Sequence, residues 1–469
     1  MKIKQYLTIG ASVAGTLVAV MLATGAWEPL AKAAKSAQGP TFAVDPSWPK
    51  PLPALVGSDG VAHRWVTGEI AGSCMDKHDN VYTFNRGWEI GATPAGGVLQ
   101  GNESGAIDGQ DATASAIPSP PVVAYNGDGD TVAGWGNPSL ISSNAQDDEG
   151  WAAYMPQGAH GCFVDYQGFI WFGGNGDGIV QKYNPQAANT EGAKATYVLQ
   201  IGTKGMCDGK STSSNPFSSC GEGNSFNSSH TLLNEPADIA VDPDVGPVSH
   251  MRGDIYIADG YGNHRVVVFN AAGTYVGQWG TACSTDSESC APGTFGATGG
   301  GHPHCVVLGN DGLVYVCDRP NDRIQVFKKT CAVPSVNGSQ PVCKPVRIIN
   351  INGFNTATAA QRKALLLAGT RACDMDFWPN IDYLASKSPS SQKDIVDVDL
   401  GNDNTWLINK ASGLVLGALG TCGIAPCPGH SAGEFAFGHT TTVDSKGDIY
   451  VAETITGRRI QKFVQMNGQ

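Results

Sequence analysis

Charge is scarce in this 469-residue chain: Asp, Glu, Lys and Arg together make up 15% of it. A sequence so poor in long charged side chains and so rich in turn formers, with 61 Gly and 27 Pro, suits an all-β fold better than a helical one. Basic residues are the scarcer sign, 30 against 42 acidic, and the net charge of −12 leaves no cationic footprint for nucleic acid. Beyond the first apolar run, no second one is long enough to span a membrane. The 13 cysteines lack the paired CxxC spacing of a structural zinc site.

Residues 1–33 read as an address rather than part of the fold. Lys2 and Lys4 precede an uncharged run from Gln5 to Trp27, and Ala31-Lys32-Ala33 offers a cleavage site for a signal peptide. The run is also long enough for an uncleaved N-terminal anchor, the chain's only expected contact with a membrane. Either reading exports the remainder to the periplasm or the cell exterior. The cysteines fit that compartment. Cys207/Cys220, Cys283/Cys290, Cys331/Cys343 and Cys422/Cys427 each bracket a segment rich in Gly, Ser or Pro, as local disulfides clamping surface loops would. Of the others, Cys305 and Cys317 are placed to meet across a hairpin.

Several segments share one pattern, in which an apolar strand and a polar turn lead to a second strand centred on an aromatic residue. They are 71–87, 160–176, 237–269 (with an insertion in its turn), 304–327, 439–463 and a weaker copy at 394–420. Such hairpins cannot bury a face alone, so they must pack on one another. Six four-stranded units in a ring predict a six-bladed β-propeller over residues 40–466, a single domain with long disulfide-clamped loops. The segment 41–48 is placed to complete the last blade.

Aligning the units on Tyr82, Trp171, Tyr256, Tyr315, Trp406 and Tyr450 puts His160, His304 and His439 at one register, 11 residues before their aromatics. Ala71, Ala237 and Ile395 take that position in the other three units. The position begins the strand that lines the channel, so three imidazoles from alternate blades are expected to converge on the axis, the ligand set of an open zinc site. His63, His78, His230, His250, His264, His302 and His430 break the register and read as surface or loop residues. Four residues beyond the aromatic stand Arg86 and Arg319, in blades that face each other. Two guanidiniums there suit a carboxylate, the plainer alternative being a pair of rim salt bridges. Tyr261 overlooks the same mouth, where a metal and two arginines would lower its phenol pKa for acid–base work.

The repeats are similar to NHL repeats. The segments "EPADIAVD…GDIYIADGYGNHRVVVFNAAGTYVGQWG", "HPHCVVLGNDGLVYVCDRPNDRIQVF" and "FNRG" resemble the core of the peptidyl-α-hydroxyglycine α-amidating lyase family. That resemblance implies a six-bladed propeller whose zinc is held by His160, His304 and His439. It implies active-site arginines at Arg86 and Arg319, a catalytic tyrosine at Tyr261, and a carbinolamide substrate cleaved to an amide and glyoxylate. The family's structural calcium would take carbonyls at Ser73 and Cys162, but its Asp position holds Thr440, which argues against calcium. The family's methionine two residues before the last zinc ligand is Phe437.

These readings predict a secreted zinc lyase acting on a small carboxylate-bearing or peptide-like substrate. The alternative is a non-catalytic propeller whose loop face binds a protein or a glycan. A propeller hydrolase or other lyase built on a calcium site of Asp, Glu and Asn is disfavoured by the histidine register.

Overall fold

The computed structural model describes residues 39–56, 62–86, 116–135, 155–156, 158–185, 195–208, 227–243, 253–283, 290–296, 302–335, 341–351, 372–380, 391–423 and 426–466. The N-terminal segment read as a signal peptide or anchor lies outside them. Six four-stranded antiparallel sheets form the blades. Their inner strands are Ile70–Met75, Ala159–Val164, Pro236–Val241, Cys305–Leu308, Ala372–Trp378 and Gly438–Val443, for blades one to six. Thr41–Val44 pairs with Ile460–Met466 as the outer strand of blade six, so the chain's beginning closes the ring on its end. A small three-stranded sheet, Ala54–Val56, Ala62–Val66 and Ala116–Pro118, accompanies the propeller.

The repeated pairing of a turn Asp with a second-strand aromatic has a physical cause. Trp171, Tyr315 and Tyr450 are buried to within 1% and each carries a polar atom that needs a partner. The turn carboxylate supplies it: Trp171 Nε1 donates to Asp165 at 3.0 Å, Tyr315 Oη to Asp311 at 2.8 Å and Tyr450 Oη to Asp444 at 3.0 Å. Asp165 and Asp444 also cap turn N–H groups, from Gln167 and Phe169 and from Lys446 and Asp448 respectively. One acidic side chain thus fixes both the turn and the aromatic.

A second recurring device ties three of the blades to the segments leading into their inner strands. Asp259–Arg265, Asp318–Arg323 and Glu453–Arg459 pair at 2.9, 2.8 and 2.9 Å in blades three, four and six. Each arginine spends its other donors on loop carbonyls, for example Arg265 on Ser229 and Leu232 and Arg323 on Cys290 and Thr294. The first two pairs are buried on both sides. Removing one partner of such a pair strands a buried charge, at a cost of about 3–5 kcal/mol.

Blade five departs from the sequence alignment. Its inner strand is Ala372–Trp378; the segment from 394 supplies the second strand, Asp394–Asp399, and Trp406 lies on the third, Asn404–Asn409. Ile395 therefore does not hold the histidine-equivalent position, which belongs to Cys373. The error has a cause: Trp406 Nε1 donates to Asp399 at 2.9 Å, reproducing one strand further out the Asp–aromatic pair that marks the other blades.

Disulfides clamp the loops at Cys283–Cys290, Cys331–Cys343 and Cys422–Cys427. Cys305–Cys317 bridges its hairpin as expected, and Cys74–Cys162 joins the inner strands of blades one and two. Cys207 is disulfide-bonded, while its expected partner Cys220 lies outside the described residues. So many disulfides belong to an oxidising compartment. Among the described residues, no helix is long and apolar enough to cross a membrane.

Candidate metal centre

His160, His304 and His439 stand at the starts of alternate inner strands, and their rings meet on the axis. Ring centroids are 4.8 Å apart for His160–His304, 4.6 Å for His160–His439 and 5.1 Å for His304–His439. One nitrogen from each lies within 4.8 Å of the others. The ring can be this small because inner strands approach closely: a Cβ on Gly72 would fall 2.2 Å from the His160 carbonyl oxygen.

Each ring is oriented by the next blade. Nδ1 of His160 bonds the carbonyl of Ala237 at 2.6 Å, that of His304 the carbonyl of Cys373 at 2.5 Å, and that of His439 the carbonyl of Ala71 at 2.9 Å. A carbonyl only accepts, so Nδ1 carries the proton in all three and each Nε2 keeps its lone pair. The acceptors are the histidine-equivalent residues of the intervening blades, which makes the alternation a closed set of donor–acceptor pairs. Such outer hydrogen bonds fix the tautomer of metal-ligating imidazoles.

Electrostatics keep the rings neutral. Burial pushes the His160 pKa well below the usual imidazole value, aided by His439 and Arg86. Burial, Arg319 and His160 do the same at His304, and burial with Arg86 and Arg319 brings His439 down to about 3. Three neutral imidazoles with converging lone pairs could hold a divalent metal ion.

Tyr261 reaches the same point. Its hydroxyl lies 3.1 Å from His160 Nε2 and 3.0 Å from His304 Nε2, and accepts from Arg319 Nη1 at 3.3 Å. One hydroxyl proton cannot satisfy two nitrogens, so a lone pair is left facing the shared volume, as a cation site requires. The "DGYGN" turn is seated by close backbone approach, since a Cβ on Gly260 would lie 1.8 Å from the Pro303 carbonyl oxygen. In this structure the Tyr261 phenol pKa is raised, against the expectation of a lowered one. Burial outweighs the opposing pull of Arg319 and Arg86.

The two arginines differ. Arg319 stacks its guanidinium over the Tyr261 ring, 5.4 Å from the centroid, and bonds its hydroxyl. Arg86 pairs with Glu69 at 2.7 Å and donates from Nε to the Ala159 carbonyl at 3.0 Å, contacts that orient its guanidinium. Glu69 also accepts from the Thr454 hydroxyl at 3.0 Å. Glu69 lies outside the hairpin pattern, and nothing in the sequence singled it out. Cys373 was hidden by the misread blade. It is a free buried thiol, 3.7 and 3.8 Å from the two His304 nitrogens, and burial raises its pKa to about 12. His264 and His302 lie in loops as expected but are buried, their rings stacked 5.9 Å apart.

The Thr440 hydroxyl, beside His439, is engaged with the Ser73 hydroxyl at 2.8 Å. The backbone of Phe437 has φ 57° and its N–H donates to Asp403 at 2.8 Å, which fixes the entry to His439.

Comparisons with known proteins agree with parts of this picture. A model of the NHL repeat matches residues 301–327. The chain is 37% identical over 94 residues to peptidyl-glycine alpha-amidating monooxygenase B of Xenopus laevis, a stretch covering 20% of this chain and 9% of that protein. It is 38% identical over 95 residues to peptidylglycine alpha-amidating monooxygenase of Rattus norvegicus, covering 20% of this chain and 8% of that one. The chain therefore spans less than a tenth of the length of these relatives. Among solved structures, a protein of unknown function from Bacteroides thetaiotaomicron aligns with TM-score 0.43 and 13% identity over 92% of this chain and 73% of that one, a likeness too distant to bear on function.

Proposed function

We propose that this protein is an exported zinc-dependent lyase that cleaves the C–N bond of an N-acyl-α-hydroxyglycine-type carbinolamide, releasing glyoxylate and leaving an amide. The observation that carries the reading is the meeting, at one point, of three neutral imidazoles, the Tyr261 hydroxyl and the Arg319 guanidinium. The partial similarity to amidating enzymes supports it.

Zinc, when bound by His160, His304 and His439, supplies a Lewis acid for the substrate hydroxyl. Tyr261 would take the hydroxyl proton; Arg319 and Arg86 pull its pKa down, and the charge of a bound metal would act in the same direction against the rise caused by burial. As that proton leaves, the C–O bond becomes a carbonyl, the C–N bond breaks and the departing nitrogen gains a proton, so the amide and glyoxylate balance the substrate. Arg319 and Arg86 would hold the substrate carboxylate and stabilise charge that develops beside it. The three histidines are buried, which strengthens electrostatic interactions at the metal position.

Glyoxylate release from α-hydroxyhippurate tests the reading. The wild-type protein is expected to release it and His304→Ala to lose that activity. A zinc-loaded wild type that releases none would overturn the substrate class.

A further inference from the structure

Charge is divided along the propeller axis. On the mouth side the histidines face Arg86 and Arg319, which both oppose a positive charge at His160 and His439; Glu69 offsets one of the two. A divalent cation arriving by that route meets guanidinium first. On the other side a cavity of about 950 Å³ runs from His160 and His304 down to the exposed turns around Lys77 and Gln167. Asp238, Asp374 and Asp376 line it, with the hydroxyl-bearing Ser73 and Thr440 near the histidines. Asp76 and Asp79 stand at the rim, and Lys77 is the one lysine or arginine among the lining residues.

The three carboxyls have a structural task, but one that does not need their charge. Asp238, Asp374 and Asp376 each use Oδ2 to accept a backbone N–H of the next histidine-bearing blade, from Val306, Thr441 and Val443, at 2.9 Å in each case. An asparagine oxygen would accept from Val306, Thr441 and Val443 equally well without the cost of burying an ionisable group, losing only the contacts with the N–H groups of Ile239, Met375 and Phe377. The cost is visible: burial raises the pKa of all three, and Asp238 and Asp374 oppose each other's ionisation. Carboxyls kept at such a penalty, in a cavity whose inner end is a set of cation ligands, call for a role that uses negative charge.

We propose that this acidic cavity is the loading route for the divalent cation, so that metal and anionic substrate reach the three histidines from opposite faces of the propeller. The inference rests on the metal reading of the site. A low-dielectric cleft of one sign concentrates counter-ions and speeds their entry by a factor of roughly 10 to 1,000, an effect that salt screens. Ser445, on an exposed turn that also lines the cavity, marks where an obstruction would act without altering charge.

The test follows zinc uptake by the chelator-stripped full chain in a stopped-flow instrument with a competing chromophoric chelator. It is run at pH 8, above the value of about 7 to which burial lifts Asp238 and Asp376. Asp238→Asn combined with Asp376→Asn keeps the oxygens that accept from Val306 and Val443. It is expected to slow uptake about tenfold at low ionic strength, to lose most of that difference in 1 M salt, and to leave final zinc stoichiometry unchanged. Ser445→Trp is expected to slow uptake at every salt concentration. Unchanged rates in both variants, with zinc still bound at equilibrium, would overturn the route. A lower final stoichiometry in the Asn variant would also overturn it, by making the carboxyls ligands. A wild-type chain that holds no zinc would instead remove the metal reading beneath it.

Discussion

Tyr261→Phe isolates the contribution of one hydroxyl. The oxygen touches His160 Nε2 at 3.1 Å and His304 Nε2 at 3.0 Å, and receives Arg319 Nη1 at 3.3 Å. Only one of the two imidazole contacts can hold the proton. The hydroxyl therefore makes one ordinary hydrogen bond, worth about 1 kcal/mol, and one to a charged donor, worth about 1.5–3 kcal/mol. The contact with Arg319 is long for a charged pair, which favours the lower end. The metal-free variant is then expected to be about 2.5 kcal/mol less stable in urea. Catalysis should suffer more: a lost general base typically costs 10²–10⁴-fold in kcat. Glyoxylate release and zinc content are measured on the same preparation, with zinc expected to remain. A variant within about threefold of wild-type kcat would refute the assignment of Tyr261 as the proton acceptor, whatever the stability result.

Three further perturbations address separate parts of the account. Glu69→Gln removes the charge that positions Arg86 while keeping the side chain's shape. KM is expected to rise by about tenfold, the equivalent of 1.4 kcal/mol, with kcat changed little; an unchanged KM would mean that Arg86 does not hold the substrate carboxylate. Asp376 has its pKa raised to about 7 by burial, so its protonated form favours the folded state. That contribution is complete below the unfolded value near 3.8 and is lost as pH rises through about 7. Metal-free protein should thus lose stability between pH 4 and 7, by at most about 1.4 kcal/mol per unit for this group and less where water in the cavity screens it; Asp376→Asn should flatten the slope in urea titrations. Arg323→Ala should cost about 3–5 kcal/mol because Asp318 is left buried without its partner. Lys50→Ala, which breaks an exposed pair with Asp130, should leave the denaturation midpoint where it is.

Much of this site could be read from the chain because a propeller repeats its geometry. Once the Asp-turn-aromatic hairpin was recognised, residue spacing became spatial position, and His160, His304, His439, Arg86, Arg319 and Tyr261 followed from their distances to the aromatics. The reading failed where a local feature copied the signal. Asp399 and Trp406 form the same carboxylate–indole bond as Asp165 and Trp171 but on strands one step further out. The true inner strand of blade five carried its own sign in the alternation of Cys373, Met375 and Phe377 with Asp374 and Asp376. Acidic residues at every second position disguise an inner strand when the cavity they line is unknown. Glu69 left no trace, because its role depends on a contact with Arg86 that no spacing encodes. The direction of the Tyr261 shift was equally hidden, since it is set by how deeply the phenol is buried and only secondarily by the arginines.

The central claim is a metal held by three imidazoles from alternate blades. Elemental analysis and X-ray absorption on the purified chain test it most directly. The account predicts one zinc per chain, with nitrogen ligands at about 2.0–2.1 Å, and less than a tenth of that occupancy in His160→Ala, His304→Ala and His439→Ala alike. Stoichiometric zinc that survives all three substitutions, or a folded wild type that takes up none, would contradict it.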